Sequence, residues 1–365
     1  MPPRRRRLRP FDAASLGVPS RRGCALSRGA RGGRFALAHA SCRVAEPARR
    51  LTMLGMGMAS SHAPMMFQKA QYWPRVLERI PAEAREHLPH SARVEIATPA
   101  IIDGHIQRIE AAFATLRDQL KAFQPDALLM IGDDQGDMFD MANNPTFSIY
   151  TGDEPLWGRS ARDPFGIAPQ ERTKVVFRQH GELARHLLRG LVKRGFDVAN
   201  IARFDPRGNP ARGVSHMVSN LVPEVDPGLK IPLVCVFLNE YYPPLPSAAR
   251  CAHLGEAIAD ALRDRPERVA IYASGGLSHY PGMFNAGWID QPLDHWILER
   301  LERNDLEALQ HLFTFDSDHM RSGTGEVRAW ISAAAAMKRP AKVVEYVPAH
   351  CTQTGCGFVY WPSVA

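Results

Sequence analysis

Apolar runs of strand length alternate with stretches of helical period through most of this 365-residue chain. Leu54-Gly55-Met56-Gly57-Met58-Ala59 reads as a first strand that runs into Ser60-Ser61-His62. A long helical pattern over 105–123 is followed by an apolar strand over 126–131, which ends at Gly132-Asp133-Asp134-Gln135. The spacing then predicts a helix over 182–193, a strand over 197–201, a buried strand over 231–238, a helix over 247–263 and a strand over 268–273. Strands separated by helices predict an α/β fold, with a mostly parallel or mixed central sheet and helices on both sides. One α/β domain over 53–365 is the simplest partition. Residues at about 65–99, which mix aromatic and charged side chains, are expected to form a lid-like insertion over one end of the sheet.

Charge changes the picture mainly at the amino end. The formal net charge is +7, but residues 1–50 carry 13 Arg against only Asp12 and Glu46, so the rest of the chain by itself is net −4. A mildly acidic body gives no phosphate-binding footprint, and no nucleic-acid partner is expected. Residues 1–52 read as an Arg-rich disordered tail, an organelle-targeting segment or, the favoured expectation, translation from a start annotated too far upstream, with Met53, Met56 or Met58 as initiator. No apolar run reaches the length of a membrane span and no export signal is legible, so a cytoplasmic location without membrane association is expected. The six cysteines are too sparse for a disulfide framework; Cys235 and Cys251 fall in apolar patterns as packed thiols, and Cys351 and Cys356 lack a second pair for metal binding.

Three polar signatures carry the chemistry. Ser60-Ser61-His62-Ala63-Pro64 places a histidine just past the first strand, where Pro64 prevents immediate entry into a regular helix. Ser274-Gly275-Gly276-Leu277-Ser278-His279-Tyr280-Pro281 places a second histidine in a close turn after another strand, with polar neighbours able to orient its ring. Gly323-Thr324-Gly325-Glu326 opens a helical pattern, with Thr324 a candidate cap and Glu326 in the first turn, where a carboxylate is favourable even without a ligand. Each histidine is also readable as a hydrogen-bonded structural group. Together the three can assemble a metal-centred site from distant segments.

In their order and spacing these signatures resemble the class III extradiol ring-cleaving dioxygenases of the protocatechuate 4,5-dioxygenase catalytic-subunit type, the gallate and 3-O-methylgallate dioxygenases among them. Asn239-Glu240-Tyr241-Tyr242-Pro243-Pro244, Leu293-Asp294-His295-Trp296 and Val347-Pro348-Ala349-His350 add to the likeness, which runs from Gly55 to Trp361. The resemblance implies a LigB-like extradiol dioxygenase fold and a non-haem Fe(II) that serves cleavage of a substituted, carboxylated catechol by O2. It implies His62 and Glu326 as metal ligands and His279 as the acid/base, with His216 as a proton donor or hydrogen-bonding group in the substrate pocket. At the second ligand position the family has Asn-Asp-His where this chain has Asp133-Asp134-Gln135. Ligation by Gln135, ligation by Asp134 or Asp133, and a degenerate site all stay open. Phe67, Tyr72, Trp73, Tyr241 and Tyr242 are candidates to line a flat pocket; Arg159, Arg172 or His216 would meet a ring carboxylate, and each arginine also reads as a surface charge. A homodimer is expected, and a small helical partner subunit is compatible with the family. The altered ligand position keeps two alternatives: a metal-dependent hydrolase on the same scaffold, and a non-enzymatic binding protein with a degenerate metal site.

Overall fold

The central strands are apolar at nearly every position because both faces of the sheet are covered. In β2 (Ala127–Asp133), Ala127, Leu129 and Ile131 point into one core, and Leu128 and Met130 point into the other. β8 (Val269–Ser274) divides in the same way, with Val269, Ile271 and Ala273 on one side and Ala270 and Tyr272 on the other. The computed structural model describes residues 54–78 and 98–363, all within one compact unit. The tail over 1–52 lies outside the described residues.

Eight strands form a mixed sheet in the order β6-β3-β7-β2-β8-β1-β10-β9. The strands not yet given are β1 (Leu54–Ser60), β3 (Phe147–Tyr150), β6 (Ala199–Ile201), β7 (Leu233–Leu238), β9 (Lys342–Ala349) and β10 (Thr354–Trp361). β7, β2, β8 and β1 run parallel to one another. β10 pairs antiparallel with both β1 and β9, and β3 pairs antiparallel with β7. A separate antiparallel pair, β4 (Leu156–Arg159) and β5 (Lys174–Phe177), forms a two-stranded sheet.

Among the described residues five helices are eight residues or longer: α1 (Pro99–Phe123), α2 (Gly181–Lys193), α3 (Ala248–Leu262), α4 (Gln291–Glu302) and α5 (Val327–Met337). α2, α3, α4 and α5 contribute to one hydrophobic core, and α1 packs into the other. The expected α/β architecture with helices on both sides is therefore present. Helical patterns read over 105–123, 182–193 and 247–263 correspond to α1, α2 and α3, with ends displaced by a few residues. The paired strands β9 and β10, whose Gly, Pro and polar residues blur the apolar alternation, were not legible.

The first part of the expected lid at 65–99 folds as two short 3₁₀ turns and a single helical turn over Pro74–Leu77; residues 79–97 lie outside the described residues. Met65, Met66, Phe67 and Trp73 in that part are buried in the α1-side core. No helix among the described residues is long and apolar enough to cross a membrane.

Because β1, β2, β7 and β8 are parallel, their carboxyl ends lie along one edge of the sheet. Ser60 is in register with Ser274, Gly132 with Ser274, and Asp133 with Leu238. The segments that leave these four ends carry His62, Asp133 to Gln135, Glu240 with Tyr241, and His279. Open α/β sheets place their ligand sites at this edge.

Candidate metal centre and active site

His62 is held by its chain neighbours and by β8. Asn220 donates to its backbone carbonyl at 2.9 Å, and Ser61 preceding it is tied to β10 through the Gly357 carbonyl. Its Nδ1 lies 2.8 Å from Ser274 Oγ, and that hydroxyl donates to the Met217 carbonyl at 3.0 Å. With its one proton committed to Met217, Ser274 accepts from the imidazole, which fixes the proton on Nδ1 and leaves a lone pair on Nε2. His62 Nε2 is buried without a hydrogen-bond partner and lies 3.6 Å from Glu326 Oε2.

Glu326 closes a 3₁₀ turn, Ser322–Glu326, that leads into α5. Thr324 makes no capping bond to the helix; its hydroxyl meets Tyr280 at 3.3 Å. Glu326 turns inward and is fully buried. Its Oε2 accepts from the Gly276 N–H at 2.5 Å, and its Oε1 accepts from Tyr241 Oη at 2.5 Å and from Gln135 Nε2 at 2.6 Å. Burial alone would push this carboxyl up, but the His279 and His62 rings when protonated, with the donated hydrogen bonds, hold it well below the ordinary carboxylate range.

The Asp133-Asp134-Gln135 turn distributes its side chains among three tasks. Asp134 accepts from the backbone N–H groups of Met138 and Phe139, each at 2.8 Å, and so braces the following loop. Gln135, with φ at 46°, turns its amide nitrogen onto Glu326 and onto Tyr241 Oη at 3.0 Å, so the amide acts as a donor to a carboxylate. Asp133 alone aims both carboxyl oxygens into the interior with no hydrogen-bond partner. Burial first, and then the Glu326, Glu240 and Asp134 carboxylates, push Asp133 well above the usual aspartate range. Ligand atoms of His62, Asp133 and Glu326 all lie within 4.8 Å of one another.

This cluster fits a divalent cation. One imidazole lone pair and two carboxylates converge, His62 Nε2 and both Asp133 oxygens have no protein partner, and a cation would relieve the mutual repulsion of Asp133 and Glu326. Among the residues singled out at the second ligand position, the structure turns Gln135 and Asp134 to other partners and brings Asp133 to the cluster. Nearby Glu240 is also buried with unpartnered oxygens, and burial together with Glu326 pushes it up.

His279 sits on the opposite side of Glu326, its Nε2 3.6 Å from Oε1. Its Nδ1 lies 2.9 Å from the Leu277 carbonyl, which can only accept, so the proton of the neutral ring is on Nδ1 and Nε2 is free to take another. Two features place the ring. Gly323 donates its N–H to the His279 carbonyl at 2.9 Å, and a β-carbon at Gly323 would collide with the imidazole. Asp294 of α4 accepts from the Ser278 N–H at 2.9 Å and the Ser278 hydroxyl at 2.8 Å, while Tyr346 Oη donates to it at 2.6 Å. The sequence motif containing Asp294 was legible, but its task of holding the His279 loop was not.

His216 begins a short helix capped by Ser215 and packs edge-on against His62, with ring centroids 4.4 Å apart. Its Nδ1 lies 3.4 Å from Asp137 Oδ2, a partner with no sequence signal of its own. Burial, reinforced by the nearby His62, pulls its pKa down. His216 and Gln135 line a cavity of about 820 Å³ whose wall also includes Met65, Phe165, Arg159, Arg172 and Met283. Of the aromatic residues considered for a flat pocket, Phe67 and Trp73 are in the core, and Tyr241 turns its hydroxyl onto Glu326.

The chain matches a known family and several curated proteins. The family described as the catalytic LigB subunit of aromatic ring-opening dioxygenase matches over residues 87–359. Proteins of Escherichia coli strains 55989 and K12 DH10B, both named 2,3-dihydroxyphenylpropionate/2,3-dihydroxicinnamic acid 1,2-dioxygenase, are each 28% identical over 194 residues, covering 53% of this chain and 55% of theirs. The chain thus spans about half the length of the curated relatives it matches. A solved structure of an uncharacterised protein from Escherichia coli K12 aligns over 84% of this chain and 99% of its own, with 12% identity and a TM-score of 0.44.

Proposed function

This chain belongs to the LigB family of aromatic ring-opening dioxygenase catalytic subunits, and from that premise we propose that it opens the ring of an aromatic diol by extradiol cleavage with O2. His62, Asp133 and Glu326 would hold Fe(II), with Asp133 in the second-ligand role for which Gln135, Asp134 and Asp133 were the candidates. The observation that carries the reading is the convergence of the His62 Nε2 lone pair and the unpartnered Asp133 oxygens on Glu326, with His279 on its other side. Bound Fe(II) would supply a Lewis-acidic, redox-active centre for the diol and O2.

The side chains of this protein then have separable tasks. His279, protonated on Nδ1 and free on Nε2, accepts a proton from a diol hydroxyl and later returns it to an oxygen of the opening ring. Tyr241 and Gln135 keep Glu326 in one orientation, so its charge stays aimed into the cluster. His216, whose neutral form burial favours, lies where it can donate to or accept from a bound substrate. The carboxylated substrate class is favoured by the cavity wall, where Arg159, Arg172 and Arg212 face only Asp137 among acidic lining residues. The relatives' name, which includes a phenylpropionate, supports the same class.

Anaerobic Fe(II) loading, followed by oxygen uptake with a panel of carboxylated and neutral catechols, tests the reading. Near-equal consumption of O2 and diol with a ring-opened chromophore is expected. A set of one imidazole and two carboxylates also suits metals that activate water. Tight metal binding without oxygen uptake across the panel would sink ring cleavage and favour the hydrolase reading.

A further inference from the structure

The wall of the cavity is more cationic than its acidic lining residues balance. Three arginines line it against one aspartate. Two of the three are already engaged. Arg159 donates to the Ala211 carbonyl at 3.1 Å and to the Arg172 carbonyl at 2.7 Å, and its guanidinium lies over Trp157 at 5.1 Å. It therefore ties two loops together. Arg212 is exposed and lies 3.5 Å from Asp137, which also meets His216.

Arg172 is different. It follows the 3₁₀ turn Pro169–Glu171 directly, on the segment that leads into β5, and its Nε is buried without a hydrogen-bond partner. Asp163, an acid that favours its charge, is engaged by the Thr173 N–H and hydroxyl. Burial and the neighbouring Arg212 both disfavour its charge. A buried guanidinium donor with no acceptor is costly, and an anion in the cavity would satisfy it. The cavity is also lined by apolar groups, including Met65, Val76, Phe165, Ile167 and Met283, and by His216 and Gln135, which contact His62 and Glu326. A ligand with a metal-binding diol, a flat apolar body and an anionic group matches this set of surfaces.

We propose that Arg172 is the specificity-determining residue that reads the carboxylate of the substrate, with Arg159 as its brace and Arg212 as the outer charge tethered by Asp137. The assignment rests on the reading of this cavity as the diol site, but it makes its own claim about ligand charge. Arg172 acts on binding: losing its fork weakens an acid ligand and leaves a neutral one of the same shape unaffected. The chemical step, which belongs to the metal cluster and His279, is spared.

The test has two arms on the full-length chain. In the first, metal-free protein is titrated calorimetrically with 3-phenylpropionate and with 3-phenylpropanamide, its uncharged counterpart. Wild type is expected to prefer the acid, and Arg172→Gln to weaken acid binding about tenfold or more while moving the amide less than about twofold. Arg172→Lys, which keeps charge without the planar fork, should fall between them. Equal binding of acid and amide by wild type, equal loss of both in Arg172→Gln, or the same selective loss from Arg212→Gln alone would overturn the assignment. In the second arm, Fe(II)-loaded protein is assayed with 3-(2,3-dihydroxyphenyl)propionate and 3-ethylcatechol. A KM increase confined to the acid, with kcat retained, supports Arg172; a matching loss with both diols overturns its role. If wild type takes up no oxygen with either diol, ring cleavage fails as the function, and the calorimetric arm still decides the role of Arg172.

Discussion

Adjacent residues in the turn after β2 have separate fates, and this makes them separable by experiment. Asp133 is a buried carboxylate without a protein partner, whereas Asp134 supports a loop through the Met138 and Phe139 N–H groups. Asp133→Asn is expected to lower metal affinity by about 10²-fold or more, by removing a ligand whose loss exceeds that of a supporting group. The same change should raise the melting temperature of the metal-free protein, because it removes a buried carboxyl whose ionisation is opposed by burial and by Glu326 and Glu240. Asp134→Ala should do the reverse: metal affinity within about threefold of wild type and stability lower by about 1–3 kcal/mol from the unsatisfied N–H groups. Metal titration and thermal melts on both variants check the pair, and metal loss from Asp134→Ala alone would refute the assignment. Gln135→Leu removes a donor to Glu326 and should weaken metal binding by about tenfold, the scale of a supporting contact to a ligand.

The loop after β8 depends on elements distant in the chain. Gly323, at the entrance to α5, leaves the space occupied by the His279 ring. Gly323→Ala is expected to cut activity by about 10²-fold, since a displacement of the order of 1 Å at a catalytic group has that effect. A circular dichroism spectrum and melt close to wild type would show that displacement, and not unfolding, is the cause. Asp294, on α4, holds the same loop, and burial pushes its pKa from the ordinary 3.8 up to about 7 despite the three donated hydrogen bonds. Between these two values the folded state retains a proton that the unfolded state has released, so this residue contributes a loss of stability as pH rises from about 4 to about 7. Three pKa units set an upper bound of about 4 kcal/mol on the effect. Denaturant unfolding of wild type and Asp294→Asn across that range should show a flatter pH dependence in the variant; parallel curves would remove Asp294 as the source.

At the scale of the whole molecule, the proposed metal site joins β1, β2 and the entrance to α5, so metal binding there would be coupled to folding. Fe(II) at 100 times its dissociation constant should stabilise the protein by about 2.7 kcal/mol, seen as a melting temperature several degrees higher under anaerobic conditions and absent in Asp133→Asn. The sequence by itself determined the alternation of buried strands and helices, because strands covered on both faces must be apolar at nearly every position. The sequence also allowed His62, His279 and Glu326 to be grouped in one site, although each alone was readable as a structural group, because the order and spacing of the three signatures resemble those of a known family. It did not reveal β9 and β10, whose pairing comes from long-range ladders and whose residues lack a clean period. Nor did it choose among Asp133, Asp134 and Gln135. Three consecutive residues in a turn point in different directions, and one positive φ sends Gln135 toward Glu326 while Asp133 faces the interior. That choice depends on which backbone N–H groups and side chains the neighbouring strands bring within hydrogen-bonding reach, and only the tertiary structure supplies them.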